Sequence, residues 1–142
     1  MVVYDYGSTK TLSHEIIAIN KQLVQAAFAR DIPALEQALI ALHVRSDKGE
    51  IPEEFYKQWI DILIRPLDGE YDFAKNTAHH DAVIMAKKSL KYWDSFLPSA
   101  ETMMLNRTIS GQYWNMISLK VKDNFRPLLE EVVKLQDSKS SN

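Results

Sequence analysis

The residues best suited to chemistry lie at the start of the chain, where positions 5–7 read Asp-Tyr-Gly. They follow the apolar residues 2–4, a β-branched and aromatic run that predicts a short strand. Gly7 would let the backbone turn after that strand. The carboxylate of Asp5 suits Mg²⁺, a hard cation that prefers oxygen ligands. The same tripeptide also fits an ordinary turn leading into a helix, so the residues alone leave both interpretations open.

A second candidate for chemistry is the pair His79 and His80, followed by Asp81. Adjacent side chains on a helix point about 100° apart, so both imidazoles could not hold one small ion without ligands from elsewhere. The tract is therefore more typical of a surface than of a metal site. His14 and His43 stand alone near predicted helix ends and indicate no ligand set.

Two further features concern charge. Arg107 lies between the apolar residues Leu105 and Ile109. We expect a bend near residues 106–111, where Gly111 weakens the helix. A partly buried guanidinium there should need a carboxylate or helix-end carbonyls as partners.

The other feature is a basic strip on the fourth predicted helix. Such a strip is typical of a solvated face, although it can also contact anionic lipid. Its residues are Lys87, Lys88 and Lys91.

The overall composition predicts one globular domain. The chain has 142 residues, of which 46% are hydrophobic and 25% charged. Its 17 basic and 19 acidic side chains give a net charge of −2, which makes nucleic acid an unfavourable partner. The chain has no cysteine, which is compatible with a cytoplasmic location. No apolar run approaches the roughly 20 residues that cross a bilayer.

Apolar spacing predicts an all-α domain of about six helices over residues 1–136, with one strand at its front and a polar tail over 137–142. The predicted helices cover about 13–30, 32–43, 52–65, 77–94, the stretch 99–121 with its bend, and 127–135. Ser13, Asp31 and Pro52 are start signals. We expect residues 67–73 to form a loop whose aromatics, Tyr71 and Phe73, pack onto the helices.

The same spacing predicts which side chains point inward. On the third helix the predicted buried face consists of Phe55, Trp59, Ile62 and Leu63. On the fourth helix it consists of Ala82, Val83, Met85, Ala86, Leu90 and Trp93.

The order of these signals resembles the C-terminal part of the UbiB/AarF family of atypical protein-kinase-like proteins. The similarity spans about residues 1–130. Its first segment is VVYDYGSTKTLSHEIIAINKQLVQAAFARD, which resembles the family's strand, Asp-Phe-Gly motif and following helix. The later segment LPSAETMMLNRTISGQYW and the loop RPLDGEYDF also resemble family segments. Tyr6 stands where the family usually has Phe.

The resemblance implies a role for four residues. Asp5 would bind Mg²⁺ that bridges the phosphates of ATP, with Gly7 beside it in the cofactor site. Arg107 and Gly111 match a later signature and are expected to serve structure rather than catalysis. The fold would correspond to the end of a kinase-like C-lobe.

What the chain lacks bears on activity. The family's nucleotide-covering loop, phosphate-pairing lysine, Lys-x-Gly-Gln signature and catalytic loop should precede residue 2. The resemblance therefore implies a fragment that is inactive alone, with no cofactor of its own, and whose partner is the N-terminal kinase-like portion. The intact protein would be an ATP-dependent kinase or ATPase linked to ubiquinone biosynthesis, cytoplasmic or associated with a membrane.

Two alternatives remain open. The unpaired N-terminal strand could pair with a second copy and give a homodimer. The chain could instead be a stand-alone helical interaction module without catalytic activity, in which Asp5 is a turn residue and Trp59, Trp93 and Trp114 serve the core or a partner.

Overall fold

The computed structural model describes residues 11–96 and 100–139, and within that part the side chains of 100–102, 105 and 133–139 are left out. Six α-helices dominate the described residues, which confirms the predicted all-α class. They are α1 (His14–Ala29), α2 (Ile32–Ala41), α3 (Glu53–Ile64), α4 (Ala78–Ser89), α5 (Ala100–Ser118) and α6 (Arg126–Lys139). The 3₁₀ turns Arg65–Leu67 and Leu90–Tyr92 follow α3 and α4. The strand predicted at residues 2–4 lies outside the described residues.

The starts of the first helices follow from local capping rules. The Ser13 hydroxyl accepts a hydrogen bond of 3.2 Å from the backbone N–H of Ile16, so α1 begins where predicted. The Asp31 carboxylate accepts one of 3.1 Å from the N–H of Ala34. Pro33 lies in the first turn of α2, where a missing N–H costs nothing. The connection between α1 and α2 is short because Asp31 follows directly on Arg30, the C-cap of α1, which has a left-handed φ of 55°.

The buried side chains form two clusters that share neighbours. The first cluster joins α3 to α4 and contains Phe55, Ile62, Tyr71, Phe73, Ala78 and Met85. The second joins α1, α2 and α3 and contains Ala26, Ile32, Leu35, Tyr56 and Ile60. Ile51 and Phe96 pack against both clusters and so link them. The core therefore depends on α3, which contributes to each cluster.

The segment 67–73 is not only a loop, as the sequence predicted. It contains β1 (Tyr71–Asp72), which pairs in antiparallel fashion with β2 (Lys122–Asp123). The predicted anchoring role of its aromatics is confirmed, because Tyr71 and Phe73 are both buried. The hydroxyls of Tyr71 and Tyr113 lie 2.7 Å apart. This small sheet attaches the connection between α5 and α6 to the body formed by α3 and α4.

The last two helices differ from the predicted bounds, because α5 ends earlier than predicted and α6 ends later. Helix α5 is continuous from Ala100 to Ser118, so Gly111 does not interrupt it, and the bend expected near residues 106–111 stays a prediction. One glycine costs an α-helix only about 1 kcal/mol, which neighbouring turns readily offset. Helix α6 runs to Lys139, past the predicted start of the tail at Asp137.

The predicted inward faces are only partly correct. Phe55, Ile62 and Met85 are buried as expected. However, Leu63 on α3 is exposed, as are Val83 on α4 and the residues Leu90 and Trp93 that follow it. Ala86 is exposed as well. The side of α4 that faces the core is centred on Ala78, Ala82 and Met85, and is narrower than the sequence suggested.

Candidate functional site

The residues predicted to bind metal and cofactor, Asp5 and Gly7, lie outside the described residues. Their assignment to Mg²⁺ and ATP therefore stays a prediction. Within the part of the chain that the structure describes, no group of three or more His, Asp or Glu side chains could hold a metal ion.

The two predicted signature residues lie one turn apart on α5. Arg107 is exposed and forms no hydrogen bond or ion pair with any described residue. The expectation of a partly buried, partnered guanidinium is therefore wrong, because the continuous helix leaves this face in solvent. A Cβ added at Gly111 would meet no atom within 4 Å. Nothing packs closely enough in the described chain to require glycine there.

A buried polar cluster that the sequence did not reveal is centred on Arg45. Its side chain is only 4% exposed and lies 2.7 Å from the Glu36 carboxylate. Its Nε donates a 2.7 Å hydrogen bond to the hydroxyl of Tyr56. That hydroxyl in turn donates to Glu36 at 2.8 Å. The three side chains thus form a closed triangle between α2, α3 and the segment that follows α2.

The backbone holds Arg45 in this position. Its NH groups donate to the backbone carbonyls of Ser46 and Gly49, the latter at 2.7 Å. The residue also forms an isolated antiparallel bridge with Phe96. Next to that bridge, the N–H of Ser46 donates to the carbonyl of Ser95 at 2.8 Å. The guanidinium thus joins the polar segment after α2 to α2 and α3, and the backbone of residues 45 and 46 joins the same segment to residues 95 and 96, after α4.

Arg45, Tyr56 and Glu36 bind one another, which limits the chemistry that this cluster can carry out. Burial raises the pKa of the Tyr56 hydroxyl to about 12, and its hydrogen bond to Glu36 acts in the same direction. The hydroxyl is therefore neutral near pH 7. An open cleft of about 400 Å³ adjoins the cluster and is lined by Glu36, Ile40, Arg45, Asp47, Gly49, Glu50 and Ile51. Because Arg45 is already satisfied by Glu36 and carbonyls, the arrangement suits stability better than catalysis.

The predicted surface position of the histidine pair is confirmed for His80, which is exposed. His79 is half-buried, and its ring centroid lies 5.3 Å from that of Trp114 on α5. The Nδ1 atom of His79 is buried and has no hydrogen-bond partner among the described residues. Asp81 turns away and pairs with Arg65 at 2.7 Å. The structure therefore does not bring His79, His80 and Asp81 together as ligands.

Comparison with known proteins gives no assignment. No protein-family model matches the chain. Neither curated proteins nor solved structures show a significant match. Among the described helices, none combines the length and the apolar character needed to cross a membrane.

Sequence reasoning missed Arg45 because its partners are distant in the chain. Its segment, residues 44–50, is polar and contains glycine, a composition that predicts a solvated loop. Tyr56 and Glu36 lie eleven residues after Arg45 and nine before it, and no local periodicity connects them. An arginine flanked by the apolar Val44 was the only available hint.

Proposed function

We propose that this chain is the C-terminal helical part of a UbiB/AarF-type atypical kinase or ATPase and is inactive by itself. In the intact protein, Asp5 would bind Mg²⁺ on the phosphates of ATP, and Gly7 would allow the close turn beside it. The observation that carries the proposal is the order and spacing of motifs from Asp5 to Gly111. The link to ubiquinone biosynthesis and the cytoplasmic location belong to the same proposal.

In the first segment of the resemblance, the helices α1 and α2 start where the family pattern has helices. The family's pattern in that segment is an acid-containing turn, then a helix, and then a second acid that opens the next helix. Ser13 caps α1 and Asp31 caps α2, at the positions where the motif order requires helix starts. These two helix starts are compatible with the resemblance over residues 13–31.

The proposed nucleotide site would be incomplete in this chain, because a single carboxylate cannot bind ATP by itself. Asp5 on Mg²⁺ would leave the adenine, the ribose and most phosphate oxygens without protein partners. The remaining contacts would come from the N-terminal kinase-like portion, which is the proposed partner of this chain.

A second candidate function is a helical interaction module without catalysis. The observation that favours it is the number of large apolar side chains in solvent. Trp93 is 68% exposed and Trp114 is 55% exposed, and exposed aromatic side chains are typical of surfaces that bind other proteins. Under this reading Asp5 is a turn residue, and pairing of two copies is one way to cover the apolar surface.

Sequencing the transcript upstream of Met1 separates the two candidates. The kinase-like proposal predicts coding sequence in the same frame that contains the phosphate-pairing lysine, the Lys-x-Gly-Gln signature and the catalytic loop. An in-frame stop codon directly upstream would contradict that proposal and favour the interaction module.

Calorimetric titration of this chain with Mg·ATP tests whether it is incomplete. We expect no saturable binding at nucleotide concentrations below about 1 mM, since nearly all nucleotide contacts would be missing. A micromolar dissociation constant that Asp5→Asn abolishes would show that the chain holds a complete site, and would overturn the claim of inactivity.

A further inference from the structure

The outer face of α4 and the 3₁₀ turn after it combines exposed apolar and basic side chains. Four large apolar residues there are more than half exposed, namely Val83, Ile84, Leu90 and Trp93. Lys87, Lys88 and Lys91 are exposed among them. We call these seven residues the basic apolar face.

Helical geometry places these side chains on one side. Residues four and then three positions apart lie above one another on a helix. Val83, Lys87 and Leu90 form one such row, and Ile84, Lys88 and Lys91 form the neighbouring row. Both rows point away from the buried Met85, which faces the core. Trp93 follows at the end of the 3₁₀ turn Leu90–Tyr92.

The basic side chains of this face outnumber the acids beside it. Residues 82–93 contain three lysines and no acid, and the acids at the two ends of this span are Asp81 and the exposed Asp94. Lys88 donates to the Gln58 side chain at 3.3 Å, and within the described part of the chain none of the three lysines forms an ion pair. On the neighbouring edge, Asp61 and Asp81 are already paired with Arg30 and Arg65, at 2.6 and 2.7 Å.

We propose that the basic apolar face docks on the surface of a lipid bilayer that contains anionic lipid. Tryptophan and leucine suit the boundary between headgroups and acyl chains. Lysine stems can lie along that apolar layer while their ammonium groups reach lipid phosphates. This proposal does not depend on the kinase-like proposal, because it concerns only the described chain.

Vesicle co-sedimentation tests the proposal directly. We expect the chain to bind vesicles made of equal parts phosphatidylglycerol and phosphatidylcholine, and to bind pure phosphatidylcholine far more weakly. The variant Lys87→Gln, Lys88→Gln and Lys91→Gln should reduce binding about a hundredfold, since each lysine near an anionic surface contributes roughly a factor of five. The matched control, Lys48→Gln, Lys57→Gln and Lys75→Gln, removes the same charge elsewhere and should bind within about threefold of the unaltered chain.

Trp93 supplies a second readout. Binding should shift its fluorescence to shorter wavelength, and Trp93→Ala should remove the shift and weaken binding while circular dichroism stays unchanged. The proposal is overturned if anionic vesicles are not bound, or if both lysine variants lose binding equally. Binding of polyglutamate without binding of vesicles would also overturn it, and would identify the face as a docking site for an acidic protein.

Discussion

Arg45 donates a hydrogen bond of 2.7 Å from its Nε to the hydroxyl of Tyr56, and both residues are buried. This bond joins the segment after α2 to α3, the helix that contributes to both clusters of the core. Substitution of Arg45 therefore tests how much this contact contributes to the stability of the protein.

Replacing Arg45 with Ala should lower the free energy of unfolding by about 3 kcal/mol, because the change leaves Glu36 and several carbonyls without a partner. The loss is at the low end of the range for a broken buried pair because Glu36 keeps some contact with solvent. Urea denaturation measures the effect. The control Arg107→Ala alters an exposed arginine and should change stability by less than about 0.5 kcal/mol. Equal losses of stability in Arg45→Ala and Arg107→Ala would contradict the stabilising role of the buried Arg45 cluster.

The Tyr56 hydroxyl predicts a loss of stability in alkaline solution. Its pKa is raised from 10.0 in the unfolded chain to about 12 in the folded protein. Its contribution is therefore fully present below about pH 10 and is lost as the pH rises towards about 12. Tyr56→Phe should make the free energy of unfolding depend less steeply on pH over this interval.

That pH dependence should not vanish in the Tyr56→Phe variant. Burial, together with the hydrogen bond to Tyr113, also raises the pKa of Tyr71, which therefore acts in the same direction. Spectrophotometric titration of tyrosinate follows both groups. An unchanged slope after Tyr56→Phe would show that this hydroxyl titrates normally in the folded protein.

The Tyr71–Tyr113 pair predicts a measurable coupling between the small sheet and α5. Tyr71→Phe and Tyr113→Phe should each reduce stability by about 1 kcal/mol, as is usual for one hydrogen bond. The double variant should cost little more than either single change, since both remove the same bond. Thermal unfolding of the four proteins completes the cycle, and fully additive losses would argue against the 2.7 Å contact.

Gly111 should be replaceable in the isolated chain. It lies inside a continuous helix with open space around the position of a Cβ, so Gly111→Ala should stabilise the protein by about 0.5 to 1 kcal/mol. Gly69 provides the contrast, because its φ of +111° is strained for any residue with a side chain. Gly69→Ala should therefore destabilise. A destabilised Gly111→Ala protein would indicate a close contact that this helix does not show.

Local rules explain which parts of the fold could be predicted. Helix starts at Ser13 and Asp31 depend on residues within three positions, so the sequence was sufficient there. The buried face of α4 was less predictable. Val83, Leu90 and Trp93 are apolar but exposed, because the rest of the protein covers only the side of the helix that carries Met85. How much of a helix face is covered depends on how the other helices pack against it, and the spacing of apolar residues does not show this.

The same distinction applies to the candidate sites. Pairing of β1 with β2 joins segments about fifty residues apart over two residues each, which is too short for a pattern of alternation. Arg45 likewise finds partners on two other elements. The role proposed for Asp5, by contrast, rests on a local tripeptide and on the order of later motifs.

The most direct test of the central claim uses the full-length protein, if the transcript encodes the upstream kinase-like portion. We predict that Asp5→Asn abolishes magnesium-dependent nucleotide turnover while the melting temperature stays within about 2 °C of the unaltered protein, as expected for a residue that binds a metal rather than the core. Unchanged turnover in that variant would remove Asp5 from the metal site and contradict the kinase-like account.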